Sequence, residues 1–117
     1  MNDYKKWYIY RANLDTTIGS EQGKTRPVLV IGENAINKLL NCVNIVPITT
    51  RKEGRRIYPN EVLLSKGIAN LENESIALCH QLRTIDKRRL SKLYGEITSD
   101  EVKKSIVDAL KFQLGIS

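Results

Sequence analysis

The sequence predicts an α+β chain that is mostly β: a small β-barrel followed by a C-terminal helix. Short apolar segments recur between polar connections that often contain glycine, which is typical of small barrels. The last twenty or so residues change to a helical period. With 117 residues, 41% of them hydrophobic, the chain can bury one core, so we predict a single domain over residues 1–117.

The first half of the chain contains three predicted strands. Residues 7–14 are rich in aromatic and branched side chains, and they predict the first strand. Residues 26–31 are apolar on both faces, which indicates a central second strand. Residues 35–40 predict one or two helical turns, and residues 43–49 predict the third strand.

The second half is less regular and more highly charged. Residues 50–56 predict a mobile loop, after which residues 57–64 regain strand character, with Pro59 favouring an edge. Residues 75–84 predict one long strand or a bent pair of strands. A turn follows at residues 86–89.

The final helix has recognisable ends and an apolar face. Thr98 and Glu101 form a possible capping box, Asp100 suits the first turn, and Gly115 can end the helix. We expect this helix to pack on the barrel through one face. That face comprises Val102, Ile106, Ala109, Leu110 and Leu114.

The charge of the chain predicts a polyanionic partner. Nineteen Lys and Arg residues against 13 Asp and Glu residues give a net charge of +6. The excess is concentrated at residues 51–56 and 83–92, beside the motifs described below. RNA is the partner that this clustering favours, and an acidic protein segment is the alternative.

Composition also suggests a compartment and the absence of a metal. No apolar run approaches the roughly 18 residues of a membrane span, and the N-terminus lacks a signal peptide's apolar core, so we predict a cytoplasmic protein. In that compartment Cys42 and Cys79 are expected to be reduced core thiols. His80 is the only histidine, and we predict no metal site and no cofactor.

A glycine-bracketed loop delivers one arginine to the start of the second strand. It reads Gly-Ser-Glu-Gln-Gly-Lys-Thr-Arg-Pro over residues 19–27 and runs into Val-Leu-Val-Ile. Pro27 restrains the backbone directly behind Arg26. A guanidinium held in this way is suited to binding an anion.

Three blocks in this order resemble the MazF/PemK (Kid) family of toxin endoribonucleases. The loop and strand at residues 19–31 form the first block. Ile-Val-Pro-Ile-Thr at residues 45–49 is the second, and Gln-Leu-Arg-Thr-Ile-Asp-Lys-Arg-Arg-Leu at residues 81–90 is the third. Three departures stand beside them. Residues 6–8 read Lys-Trp-Tyr where the family has Arg-Gly-Asp, His80 replaces an acidic residue, and Glu61 replaces a histidine.

The resemblance implies a fold, an activity and partners. The fold would be an SH3-like barrel of the CcdB/MazF type with a terminal helix, assembled as a homodimer. The activity would be that of an mRNA interferase: a metal-independent hydrolase that cuts single-stranded mRNA selectively, leaves 2′,3′-cyclic phosphate and 5′-hydroxyl ends, and shuts down translation. The partner would be a cognate antitoxin whose acidic tail covers the basic groove, the pair also binding DNA.

The resemblance also implies roles for individual residues. Arg26 matches the family's catalytic arginine and Thr49 its catalytic threonine. Glu21, on the same loop, is a candidate for accepting the 2′-hydroxyl proton or for orienting Arg26. His80 is a candidate general base or acid, although strand alternation predicts that it lies on the opposite face from Gln81.

A wider set of side chains is predicted to contact RNA. Gln81 and Ser75 match base-contacting positions of the family, and the basic loop after the third strand is placed to follow the RNA backbone. Tyr58 is a candidate for stacking on a base, with a core position as its alternative. The predicted RNA-binding residues are Ser20, Lys24, Thr50, Arg51, Arg55, Arg56, Ser75, Gln81 and Arg83.

Two other functions are compatible with the same barrel. The first is a non-catalytic module that binds nucleic acid or protein, and the second is a toxin that poisons gyrase. The presence of both Arg26 and Thr49 favours RNA cleavage over either.

Overall fold

Antiparallel strands form one continuous sheet in the computed structural model, which describes residues 3–117. The seven strands found there are β1 (Tyr8–Asn13), β2 (Thr25–Ile31), β3 (Cys42–Thr50), β4 (Glu61–Leu64), β5 (Ser75–Leu78), β6 (Arg83–Asp86) and β7 (Leu90–Glu96). Helix α1 (Asn34–Leu39) follows β2, and helix α2 (Asp100–Leu114) follows β7.

The sheet curls around β3, which pairs with two different strands along one edge. Its first residues, Cys42 to Ile45, pair with β6, and its last residues, Ile48 to Thr50, pair with β5. The main strand order is β4-β5-β3-β2-β1-β7. The mostly β fold with a terminal helix is confirmed. The barrel is not closed, since β4 and β7 do not pair within the described residues.

Both faces of β2 are buried in its apolar half, as the sequence predicted, and β1 buries side chains on each of its faces. Ile9 and Leu29 belong to one apolar cluster, which also receives side chains from α2. Their neighbours Tyr10, Val28 and Val30 point the other way into a second cluster. Because successive strand residues alternate between faces, these two strands lie between two apolar cores.

Helix α2 begins one residue later than the sequence suggested. The N-cap is Ser99, whose hydroxyl accepts a hydrogen bond from the backbone N–H of Val102 at 3.2 Å. The predicted capping box starting at Thr98 is therefore wrong, although Gly115 ends the helix in the left-handed region with φ of 68°. Thr and Ser both cap helices, so their order alone does not fix the start.

The apolar face of α2 is shorter than predicted. Ile106 and Ala109 are buried in the first core cluster, with Val102 and Leu110 packed at its margin. Leu114 is 55% exposed, so its predicted place on the packed face is wrong. The helix lies against β4 and the segment after β5.

Two parts of the second half were assigned incompletely. The strand predicted over residues 57–64 is reduced to β4, and residues 75–84 form the bent pair, with a short 3-10 helix at Cys79–Gln81 between β5 and β6. β7 was not anticipated. Only Leu90 of that strand is fully buried, so β7 lacks the apolar alternation that reveals a strand.

Both cysteine thiols are free, and they differ in environment. Cys79 is buried, and burial raises the pKa of its thiol to about 12. Cys42 is partly exposed at the start of β3, so its predicted core position is wrong. No helix within residues 3–117 has the length and apolar character needed to span a membrane.

Candidate active site

A cleft of about 410 Å³ opens between the β1–β2 loop, the end of β3 and the 3-10 helix after β5. We call it the Thr49 cleft. Its lining is polar and cationic, and it combines residues far apart in the sequence. The lining residues are Ser20, Gln22, Thr49, Thr50, Lys52, Arg55, Leu78, His80 and Gln81.

Arg26 and Thr49 meet at the edge of this cleft. β2 and β3 pair in a register that places Val28 opposite Pro47, and continuing it toward the loop brings Arg26 opposite Thr49. The Arg26 Nη1 donates to Thr49 Oγ1 at 3.3 Å, and its Nε donates to the Gly23 carbonyl at 2.8 Å. Two antiparallel strands thus fix the guanidinium and the hydroxyl side by side.

The charge of Arg26 is not neutralised by a carboxylate among the described residues. The ion pairs found there involve other cations. A half-buried guanidinium that contacts only a carbonyl and a hydroxyl keeps N–H donors for an anion. Its surroundings favour binding a phosphate group.

Gln81 fastens the β1–β2 loop to the rest of the cleft. Its Nε2 donates to the Ser20 carbonyl at 3.2 Å, and its Oε1 accepts from the Gln22 N–H at 3.3 Å. Each amide group retains one further hydrogen-bonding position. Gln81 therefore orders the loop that leads into β2 and Arg26, a role that the sequence did not indicate.

Glu21 and Lys24 lie on that loop but do not line the cleft. Glu21 Oε1 accepts a hydrogen bond from the Ile18 N–H at 2.6 Å, which closes a turn within the loop. The backbone N–H of Lys24 donates to Asp15 Oδ1 at 2.7 Å, and its side chain is exposed. Glu21 and Arg26 are not hydrogen bonded or ion paired in the described structure, so a role for Glu21 in orienting Arg26 gains no support.

His80 lies in the cleft together with Gln81, so the prediction that they occupy opposite faces is wrong. The prediction assumed that strand alternation continues through residue 81. Strand β5 ends at Leu78, and the 3-10 helix that follows turns both side chains toward the same opening. His80 is exposed there.

The predicted RNA-binding residues are divided among several places. Ser20, Thr50, Arg55 and Gln81 line the Thr49 cleft, but Ser75 and Arg83 do not. The buried Ser75 hydroxyl donates to the Asn73 carbonyl at 2.8 Å and lies in a neighbouring cleft of about 380 Å³ that Thr50 also lines. Arg83 Nη1 donates to the Leu14 carbonyl at 3.3 Å.

The basic loop after β3 also differs from the prediction in detail. Arg51 pairs with Glu74 at 3.2 Å, and Arg56 is exposed with its guanidinium over the Tyr58 ring. Lys52 lines the cleft and was missed as a site residue, although it stands between Thr50 and Arg55. Tyr58 is 50% exposed, so its alternative placement in the core is wrong.

Arg55 and Glu61 form a bidentate ion pair beside the cleft. The two nitrogen–oxygen distances are 2.9 and 2.6 Å, and the Glu61 side chain is 3% exposed. The Arg55 guanidinium holds the pKa of the Glu61 carboxyl below its usual value of 4.5, against the opposing effect of burial. The Tyr58 N–H and the nearby His80 act in the same direction.

This ion pair gives a pH-dependent contribution to stability. Because the pKa of Glu61 is lower in the folded than in the unfolded chain, the contribution is complete above its ordinary pKa of 4.5 and is lost as pH falls through the folded value. We expect Glu61→Gln to have a lower melting temperature than wild type at pH 7. The difference in melting temperature should shrink as the pH falls below 4.5. Melting temperatures from pH 7 to 3 test this; a difference independent of pH would contradict it.

Comparisons with known proteins agree with this fold and show the family of the chain. The family model for the PemK-like, MazF-like toxins of type II toxin–antitoxin systems matches residues 5–114. An endoribonuclease MazF from Staphylococcus saprophyticus is 35% identical over 108 residues, which cover 92% of this chain and 88% of the relative.

Solved structures of the same fold are also similar. A MazF from Deinococcus radiodurans superposes with a TM-score of 0.80 at 26% identity, covering 96% of each chain. A chain of a MazE–MazF structure from the same organism gives a TM-score of 0.75 at 27% identity and covers all of both chains.

The family match and the 35% identical relative define the class of this protein as a toxin endoribonuclease of a type II toxin–antitoxin system. The chain belongs to the PemK-like, MazF-like toxin family. The gyrase-poisoning and non-catalytic alternatives are not favoured by these relatives.

Proposed function

We propose that this chain cuts single-stranded mRNA at selected sequences without a metal ion, using the ribose 2′-hydroxyl as the nucleophile. The observation that carries the proposal is the contact between Arg26 and Thr49, which places an unneutralised guanidinium and a hydroxyl at one cleft. The scissile phosphate would bind there. Its products would be a 2′,3′-cyclic phosphate and a 5′-hydroxyl end.

Arg26 and Thr49 would bind the phosphate together. Attack by the 2′-oxygen adds negative charge to the phosphoryl oxygens, and the remaining N–H groups of Arg26 can stabilise it. Thr49 Oγ1 accepts a hydrogen bond from Arg26, which leaves its own proton free to donate to a phosphoryl oxygen. Arg26 and Thr49 would therefore each donate a hydrogen bond to the same phosphate group.

His80 is the best-placed candidate for proton transfer. The Thr49 cleft contains three ionisable side chains among the described residues, Lys52, Arg55 and His80, and imidazole is the one suited to exchanging protons at neutral pH. We expect His80→Ala to lower the single-turnover cleavage rate by at least about tenfold. Rate measurements from pH 5 to 9 check this; an unchanged rate and pH profile would remove His80 from the mechanism.

The proposed inhibitor is an antitoxin segment rich in acidic residues that lies across the cleft and excludes RNA. The net charge of +6 and the cationic lining favour such a partner. The related Deinococcus radiodurans protein was solved as MazE–MazF. We further propose that the chain forms a homodimer and that it acts on mRNA in the cytoplasm.

The cleavage itself is tested with a long single-stranded RNA in excess EDTA. Primer extension would locate the cuts, and end-group analysis would identify the termini. We expect a small set of discrete sites with cyclic-phosphate and 5′-hydroxyl ends. Binding without cuts at any enzyme concentration would contradict the proposal, and inhibition in a parallel gyrase supercoiling assay would support the gyrase alternative instead.

A further inference from the structure

Glu61 is the centre of a hydrogen-bonded loop beside the cleft. Its Oε1 accepts from Arg55 Nη1 at 2.9 Å and from the Tyr58 N–H at 3.0 Å, and its Oε2 accepts from Arg55 Nη2 at 2.6 Å. The carboxylate is almost completely buried at the start of β4. A bidentate pair with a buried partner gives Arg55 a defined position and plane.

Arg55 stands at the boundary between two openings. It lines the Thr49 cleft and also a neighbouring cleft of about 440 Å³ that contains Glu61, His80 and Phe112. One third of its side chain is exposed, and the guanidinium lies over the Tyr58 ring at 5.7 Å. The accessible part of Arg55 is therefore a fixed planar group with N–H donors at its edge.

The next residue, Arg56, has the same side chain in a different electrostatic state. It is exposed and makes no ion pair with a carboxylate in the described part of the chain. Its guanidinium also lies over Tyr58, at 5.5 Å. Arg55 is therefore already paired with a carboxylate, whereas the adjacent Arg56 has no such partner among the described residues.

We propose that Glu61 is a positioning residue that gives these two arginines separate tasks. Arg55, held by Glu61, contacts a nucleobase through its edge and face, whereas Arg56 binds the RNA phosphates. The inference deepens the proposed function and rests on it, since it assigns how that same cleft selects its RNA.

The cost of breaking the ion pair supports this division. If Arg55 moved to a phosphate, it would leave a buried carboxylate without its partner, which is strongly unfavourable. Arg55 Nη1 also donates to the Arg56 carbonyl. While Arg55 stays paired, its other N–H groups and the guanidinium face opposite Tyr58 can still hydrogen bond and stack, the contacts that unstacked RNA bases accept. Arg56 loses no ion pair when it binds a phosphate.

The salt dependence of RNA affinity distinguishes the two tasks, because its slope is proportional to the number of phosphates that the protein neutralises. The probe is a mixed-sequence single-stranded RNA, 2′-O-methylated so that it cannot be cut, bound by the full chain in EDTA. We expect Arg56→Gln to make the slope of log K against log salt shallower by about 0.7, the value per phosphate for single strands. Arg55→Gln is expected to leave the slope unchanged and to weaken binding equally at every salt concentration.

Glu61→Gln is expected to change the slope in the opposite direction to Arg56→Gln. Replacing a residue with a merely structural role would not have this effect. Glu61→Gln frees the charge of Arg55 for phosphate, so the slope is expected to steepen by about 0.7. The double variant Glu61→Gln/Arg55→Gln should return to the wild-type slope. Glu53→Gln is the matched control, since this exposed loop carboxylate makes no ion pair among the described residues and its loss changes the net charge equally.

Cut sites on an unmodified RNA supply the second measurement. We expect Arg55→Gln to broaden the bases accepted at the cut sites and Arg56→Gln to leave them as in wild type. The inference would be overturned if Arg55→Gln and Arg56→Gln made the slope of log K against log salt equally shallower. It would also be overturned if Glu61→Gln and Glu53→Gln had the same slope. If wild type binds but never cuts, the proposed cleavage fails while the slopes still decide the roles of the two arginines.

Discussion

Arg26→Ala is expected to lower the single-turnover rate of RNA cleavage by about 10²–10³-fold, the usual effect of removing one donor to a developing oxyanion. Arg26 is the unneutralised cation that contacts Thr49, and its loss leaves the added phosphate charge without a fixed partner. Arg26→Lys is expected to restore little activity, because an ammonium group cannot contact Gly23, Thr49 and the phosphate in one plane.

The matched control for this variant is Arg88→Ala. Arg88 is an exposed arginine that pairs with Asp86 at 3.0 Å and lies outside the Thr49 cleft. Removing it changes the net charge equally without touching the site. A rate for Arg26→Ala within about threefold of the Arg88→Ala rate, with both variants folded, would exclude Arg26 from transition-state stabilisation.

Thr49→Val is expected to lower kcat by about 10- to 100-fold, since it removes a hydrogen bond to a charged group while nearly preserving side-chain volume. The hydroxyl both accepts from Arg26 and is free to donate to the phosphate. Thr49→Ser keeps the hydroxyl and is expected to retain most of the activity.

The comparison of these two variants isolates the hydroxyl from the packing of the strand end. Steady-state and single-turnover rates would show whether the loss lies in kcat or in KM. Equal activity of Thr49→Val and Thr49→Ser would show that Thr49 is present for strand formation only.

The central second strand was predictable from the sequence for a physical reason, whereas Arg26 and Thr49 were indicated together by the resemblance to the family. β2 is continuously apolar because both of its faces are buried, and such a run is recognisable without any structure. β7 lies at the edge of the sheet with most of its side chains exposed, so its sequence carries no equivalent pattern. Strand ends and caps depend on tertiary contacts that the sequence does not display.

The rest of the site could not be predicted, because side-chain direction depends on where each strand stops. His80 turns toward Gln81 only because β5 ends at Leu78 and a 3-10 helix follows. The pairing of Arg55 with Glu61 depends on the path of a loop that has no strand ladder. The resemblance to the family indicated both Gln81, which lines the Thr49 cleft, and Ser75, which lies in the neighbouring cleft; their contacts with RNA stay predictions.

Cleavage of an RNA in which one cut-site nucleotide is replaced by its 2′-deoxy equivalent would show whether the 2′-hydroxyl is the nucleophile. The proposed mechanism requires the 2′-hydroxyl of that nucleotide as the nucleophile, so the wild-type chain in EDTA should leave this bond intact and still cut an unmodified copy of the site on the same strand. Continued cleavage at the deoxy position would contradict the mechanism assigned to Arg26 and Thr49.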